Sequence, residues 1–110
     1  MQGAMNIQEE TEMKQYSAPE TMKMKDELYS DLARGAIDIR EATRRMRKIA
    51  GLTQVDYAKK IAKISPRILS EFERGIGNPT IDTLERIGKP FGLKVSFLPP
   101  KAWRIDKENP

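Results

Sequence analysis

Residues that start and end helices alternate closely along the second half of the chain. Asp38 with Glu41 three residues later is a capping-box pattern, in which each side chain can satisfy a backbone amide of the first helical turn. The remaining helix starts and stops are Gly51, Thr53, Ser65-Pro66, Gly75, Thr80, Pro90 and Gly92. This punctuation predicts four short helices between residues 38 and 92. Their inward faces are predicted from apolar residues three or four positions apart: Ile39, Ala42, Met46 and Ile49, then Val55, Ala58 and Ile61, then Leu69 and Phe72, then Ile81, Leu84 and Ile87.

The chain is predicted to have four parts. Residues 1–19 lack a regular apolar period and are expected to form a flexible tail, and residues 20–37 are expected to form a helical arm. Residues 38–92 form the compact helical domain, and residues 93–110 a strand and a polar tail.

The predicted strand rests on an alternation of apolar and polar residues. Leu93, Val95 and Phe97 are apolar, with Lys94 and Ser96 between them. A lone strand is not stable, and no second strand is evident, so the same strand from another copy would complete the pairing across a two-fold axis. The alternative is an extended tail lying on its own helices. We therefore expect an all-α protein with one C-terminal strand, and we favour a homodimer.

Charge is distributed unevenly along the chain. Residues 1–37 carry four Lys/Arg and seven Asp/Glu, whereas residues 38–110 carry sixteen and nine. A strongly basic domain after an acidic arm indicates contact with nucleic acid, although surface charges can also cluster by chance.

Cysteine and histidine are both absent from the sequence. Their absence excludes thiolate nucleophiles, zinc–thiolate sites and imidazole ligands, and it removes the commonest general base. With no glycine-rich phosphate loop either, we expect no enzyme activity, no metal and no cofactor. No apolar run is long enough for a membrane span, so we expect a cytoplasmic protein without a membrane partner.

A dense motif runs from Gly51 to Leu84. Its parts are Gly51-Leu52-Thr53-Gln54, Tyr57-Ala58, Ile64-Ser65, Leu69, Glu73-Arg74-Gly75, Asn78-Pro79-Thr80 and Thr83-Leu84. Over roughly residues 39–92 the sequence resembles the lambda-repressor-like (Cro/Xre-type) helix-turn-helix family. The resemblance implies a helix-turn-helix bundle that binds double-stranded DNA, with the recognition helix at residues 65–74 in the major groove.

The resemblance also implies which residues touch base edges, namely Pro66, Arg67, Ile68 and Glu71. Arg67 can pair bidentately with guanine and Glu71 can accept from a cytosine amino group, whereas Pro66 and Ile68 suit a thymine methyl. The alternative for Arg67 and Glu71 is an exposed ion pair four residues apart on one helix.

Phosphate contacts are expected from polar and basic residues around the motif. They are Thr53, Gln54, Ser65, Ser70, Arg44, Lys48, Arg74 and Asn78. Thr53 and Gln54 open a helix, whose N-terminus favours an anion. The resemblance further implies that Arg47 and Glu73 form a largely buried structural ion pair.

One departure from the family pattern concerns the turn. The segment from Ile61 to Ser65 is one residue longer than usual and lacks a glycine, so the extra residue either extends the preceding helix or bulges it.

A weaker resemblance links the C-terminal strand to HipB-type antitoxin repressors, which bind a toxin partner. The function expected is therefore a homodimeric transcriptional regulator, with a repressor favoured. The alternative is an antitoxin or adaptor that mainly binds a partner protein. The sequence does not indicate the operator, the target genes or any effector.

Overall fold

The computed structural model describes residues 14–108, and it describes side chains as far as residue 104. Helices make up most of this part of the chain. They are α1 (Ala18–Ala33), α2 (Ile39–Ala50), α3 (Gln54–Asp56) continuing as a π-helix (Tyr57–Ala62), α4 (Pro66–Glu73), α5 (Ile81–Gly88) followed by a 3₁₀ turn (Lys89–Phe91), and α6 (Lys101–Glu108). None of the described helices is long and apolar enough to cross a membrane.

The predicted helix starts are confirmed at α2, α3, α4 and α5. The side chains of Asp38, Thr53, Ser65 and Thr80 each accept a hydrogen bond from a backbone amide two or three residues later, at 2.9–3.1 Å. These bonds satisfy amides that have no partner within the helix. The sequence therefore sets these four boundaries locally.

Helix α1 begins earlier than the predicted arm. Ser17 and Glu20 form a complete capping box, so the helix starts at Ala18, inside the segment predicted as a tail. Residues 1–13 of that predicted tail lie outside the described residues. Asp31 of α1 accepts a hydrogen bond from Arg45 of α2 at 2.7 Å, and this bond holds the pKa of the Asp31 carboxyl below its ordinary value.

The core lies where α1, α2, the π-helix, α4 and α5 meet. Its buried members are Leu28, Ala42, Met46, Ile49, Tyr57, Ala58, Ala62, Leu69, Phe72 and Ile87. The fully buried Tyr57 donates its hydroxyl to the Ile87 carbonyl at 2.6 Å, and burial raises the pKa of that phenol. The π-helix and α5 are thus joined by a polar contact as well as by packing.

Three residues predicted to face inward are exposed instead. Ile39, Val55 and Ile81 keep 39%, 48% and 66% of their surface accessible. Each lies at the first or second position of its helix, where the chain enters from the surface and the side chain projects past the packed turns. Apolar periodicity therefore marks the buried face correctly only from the second turn onward.

The extra residue of the turn is accommodated as a bulge in the helix. The segment Tyr57–Ala62 is π-helical, and the amides of Lys63 and Ile64 both donate to the Ala58 carbonyl. A π-turn spans one residue more than an α-turn, so it takes up the added residue. Lys63 then adopts φ 57°, the left-handed conformation for which the family pattern supplies glycine.

The wide turn also changes which side chain is buried. Ile61, predicted to face the core, is only half-buried, whereas Ala62 is completely buried. The prediction placed inward-facing residues three positions apart, as in a regular helix. Because the π-helix has i→i+5 hydrogen bonds, the residue that faces the core is Ala62, one position after Ile61.

The predicted strand at Leu93–Leu98 is wrong for the single chain. Residues 93–98 have no regular secondary structure, and the described part of the chain contains no strand. A strand exists only when another strand satisfies its backbone groups, and none of residues 14–108 supplies one.

The tail predicted to follow the strand contains a helix, α6. Its Arg104 donates to the Arg34 carbonyl at the end of α1, at 2.9 Å, and also to the Pro99 carbonyl. These contacts hold the C-terminal segment against the end of α1.

Replacing Lys63 by glycine is expected to stabilise the protein. A residue with a side chain is strained in the left-handed conformation, and relief of this strain outweighs the greater flexibility of glycine in the unfolded chain, giving a net gain of about 0.5–1 kcal/mol. Urea unfolding measures the change. The Lys63→Ala variant loses the same charge but keeps the strained conformation, so equal gains in both variants would contradict this explanation.

Candidate nucleic-acid interface

Helix α4 buries one side and exposes the other. Leu69 and Phe72 are buried in the core, with 0% and 3% of their surface accessible. On the outer side, the Arg67 side chain is 85% exposed and Ile68 is 43% exposed. Pro66 occupies the first helical position and is half-buried. Three of the predicted base-contacting residues, Pro66, Arg67 and Ile68, thus occupy the first turn of the helix, and the fourth, Glu71, lies one turn further on.

Arg67 and Glu71 form an ion pair along this outer face. The Arg67 Nε donates to the Glu71 Oε2 at 2.9 Å, and the Glu71 side chain is 30% exposed. The pair is the contact that sequence spacing offered as an alternative to base reading. The two terminal guanidinium nitrogens of Arg67 have no acceptor among the described residues.

A buried carboxylate joins α4 to the two helices before it. Arg47 of α2 donates two hydrogen bonds to the Glu73 carboxylate, from Nε to Oε2 at 3.1 Å and from Nη2 to Oε1 at 2.9 Å. Gln54 of α3 donates its amide to the same Oε1 at 2.9 Å. The side chains of Glu73 and Arg47 are 3% and 17% exposed, so this pair lies inside the fold.

Two further arginines of α2 hold the C-terminal end of α4. The Arg40 Nε donates to the Phe72 carbonyl at 2.9 Å, and its guanidinium lies 5.0 Å from the centre of the Phe72 ring. Arg44 donates to the Glu73 carbonyl and to the Glu41 carboxylate. We call Arg40, Arg44 and Arg47 the arginine clamp, because all three bind the last turn of α4.

Sequence reasoning missed part of this clamp. It assigned Arg44 to a phosphate and gave Arg40 no role, although the structure uses both to cap α4. The signal was present in the spacing, since residues 40, 44 and 47 fall on one side of a helix.

The residues predicted to contact phosphates are not equally free. Gln54 is engaged with Glu73, and the hydroxyls of Thr53 and Ser65 cap their own helices. Ser70 is half-buried on α4. The exposed members of the predicted set are Lys48 on α2, Arg74 at the end of α4 and Asn78 in the turn before α5.

The geometry is that of two short helices joined by a tight turn, with the second helix presented outward. A family model described as helix-turn-helix (HTH_3) matches residues 44–98, which is half of the chain. The chain belongs to the Cro/C1-type helix-turn-helix family. Helix α3 with its π-helical continuation is therefore the first helix of the DNA-binding motif, and α4 is the recognition helix. No curated protein and no solved structure gives a significant match to the chain.

Removal of one partner of the buried pair should destabilise this helix-turn-helix domain strongly. Arg47→Ala leaves the Glu73 carboxylate buried without its cation, at a cost of about 3–5 kcal/mol. Arg67→Ala removes an exposed contact worth a few tenths of a kcal/mol, so its thermal melting should stay near wild type. Melting curves that place the two variants at the same temperature would contradict these assignments.

Proposed function

We propose that the chain is a sequence-specific DNA-binding protein that regulates transcription as a homodimeric repressor. The observation that carries the proposal is the outer face of α4. The arginine clamp holds the C-terminal end of this helix in the fold, while Arg67 and Ile68 project from its N-terminal half. A rigidly held helix with an exposed N-terminal face suits the major groove, whose width admits one α-helix.

Base reading is assigned to four residues of this face. Arg67 offers two terminal nitrogens to the acceptors of guanine, and Ile68 and Pro66 offer apolar surface to a thymine methyl. Glu71 provides a carboxylate that can accept from a cytosine amino group. Three of these side chains lie in the first turn of the helix and Glu71 lies one turn further on, so all four belong to the helix that would enter the groove.

Phosphate binding is assigned to the surroundings of α4. Thr53 and Gln54 lie at the start of α3, where backbone amides point outward, and Ser65 occupies the equivalent place before α4. Further contacts are assigned to Arg44, Lys48, Ser70, Arg74 and Asn78. Of these, Lys48 and Arg74 add full positive charges on exposed positions.

Dimerisation is assigned to the segment Leu93–Leu98. Phe97 is 99% exposed and Leu98 is 56% exposed, which leaves a sizeable apolar surface without cover in the single chain. Antiparallel pairing with the same segment of a second copy would provide the missing backbone partners and cover Phe97. Two recognition helices would then enter successive major grooves about 34 Å apart.

The first experiment is selection of bound duplexes from a random pool with the purified full chain. We expect a palindromic consensus, because a two-fold symmetric dimer reads two inverted half-sites. Failure to enrich any sequence would overturn this function and would favour the antitoxin or adaptor alternative, in which a partner protein is the main ligand.

Salt dependence then separates phosphate contacts from the other charges. The logarithm of the affinity should fall linearly with the logarithm of the salt concentration, because bound phosphates release counterions. Arg74→Gln should make this slope shallower by about one unit. Lys23→Gln, an equal charge loss on the exposed surface of α1, should leave it unchanged.

The dimer is tested by placing a charge at the most exposed apolar residue of Leu93–Leu98. Phe97→Asp should shift the protein from dimer to monomer in analytical ultracentrifugation and weaken binding to the palindrome. The substitution should not destabilise the fold of the single chain in thermal melting, because Phe97 is exposed to solvent there. Phe97→Leu keeps an apolar side chain and should remain dimeric. A wild-type protein that sediments as a monomer at tens of micromolar would contradict the assignment.

A further inference from the structure

We propose that Glu71 is a positioning residue that orients Arg67 towards guanine, so that the two side chains together select one G·C base pair in each half-site. This inference rests on the proposed DNA binding and goes beyond it. In place of its own contact with cytosine, Glu71 supports the contact of Arg67 with guanine.

The contact between the two residues occupies only one side of the guanidinium. Glu71 accepts from the Arg67 Nε at 2.9 Å, and Nη1 and Nη2 are left without an acceptor among the described residues. These two nitrogens form a planar fork of donors. Guanine is the base that presents two acceptors side by side in the major groove, O6 and N7, and so matches this fork.

Arg67 and Glu71 differ in burial, as expected if Glu71 orients Arg67. Arg67 is 85% exposed, whereas Glu71 is 30% exposed and lies one turn further along the helix, closer to its packed end. The better fixed carboxylate therefore restrains the more mobile arginine. An arginine already held in one direction loses less conformational freedom when it binds a base.

The electrostatics favour the same arrangement. A free carboxylate in the major groove would be repelled by the surrounding phosphates. Paired with Arg67, the Glu71 charge is neutralised locally. As an exposed ion pair it adds little to folding stability, which gives it no strong structural purpose.

A double-mutant cycle tests the inference. Two duplexes are compared: the palindrome recovered from the random pool, and the same duplex with one G·C pair of each half-site changed to A·T. The pair chosen is the one at which Arg67→Ala reduces the preference for G·C. There we expect Arg67→Ala to lower the ratio of the two affinities by about tenfold.

Glu71→Ala should lose several-fold of the preference at the same base pair. In the Arg67→Ala background, it should change the preference no further. Glu71→Gln keeps an oxygen that can accept from the Arg67 Nε, so it should retain most of the preference. Circular dichroism checks that each variant is folded.

A control pair with the same spacing, but with the acidic residue before the arginine, lies on α5. Arg86 Nε contacts Asp82 Oδ2 at 3.0 Å, also four residues apart and exposed. Asp82→Ala should leave base preference unchanged, which separates the effect at Glu71 from general loss of a surface ion pair.

Three results would overturn the inference. If Glu71→Ala still reduces discrimination when Arg67 is absent, or acts at another base pair, then Glu71 reads a base itself. If Glu71→Ala leaves all preferences intact, the ion pair has no part in recognition. A wild-type protein without any preferred duplex would overturn the proposed function, and this inference with it.

Discussion

The buried carboxylate of Glu73 is the contact on which the arrangement of the motif depends. A charge removed from water must be paired, and Glu73 finds its partners on two other helices, Arg47 on α2 and Gln54 on α3. The observed orientation of these helices satisfies all three groups. Arg40 and Arg44 add hydrogen bonds to carbonyls at the negative end of the α4 dipole, where cations are favoured. The apolar core brings these helices together, and the polar contacts fix how they meet.

The residues that hold α4 in the fold are different from the residues that α4 exposes. The clamp and Glu73 act on the last turn, whereas Arg67 and Ile68 lie in the first turn and face outward. The outer face can therefore change its chemistry with little effect on stability. The arginines of α2 all have partners within the fold, since the three of the clamp bind α4 and Arg45 binds Asp31 of α1.

What the sequence predicts well is what neighbouring residues decide. The caps at Asp38, Thr53, Ser65 and Thr80 act over two or three positions, and the helix boundaries follow from them. The two helices of the motif follow from the sequence pattern within the same short range, whereas the assignment of base contacts stays a prediction. The bonds from Arg40 and Arg44 to α4 were missed because their acceptors are backbone carbonyls, and the spacing of residues 40, 44 and 47 shows only that they share one side of α2. The predicted strand at residues 93–98 was wrong because no other part of residues 14–108 pairs with it, and the predicted inward position in residues 57–62 was wrong because a regular helix was assumed.

The π-helical segment gives the motif a tolerance for changes of length. Its added residue lies between two fixed points, the cap at Thr53 and the cap at Ser65, and is taken up inside the helix. Neither cap is displaced by a lengthened turn, and the spacing from Ser65 to Glu73 is untouched. An insertion at this place therefore alters the backbone of the first motif helix while the recognition helix keeps its register with Arg47. Length variation and base recognition are in this way assigned to different parts of one motif.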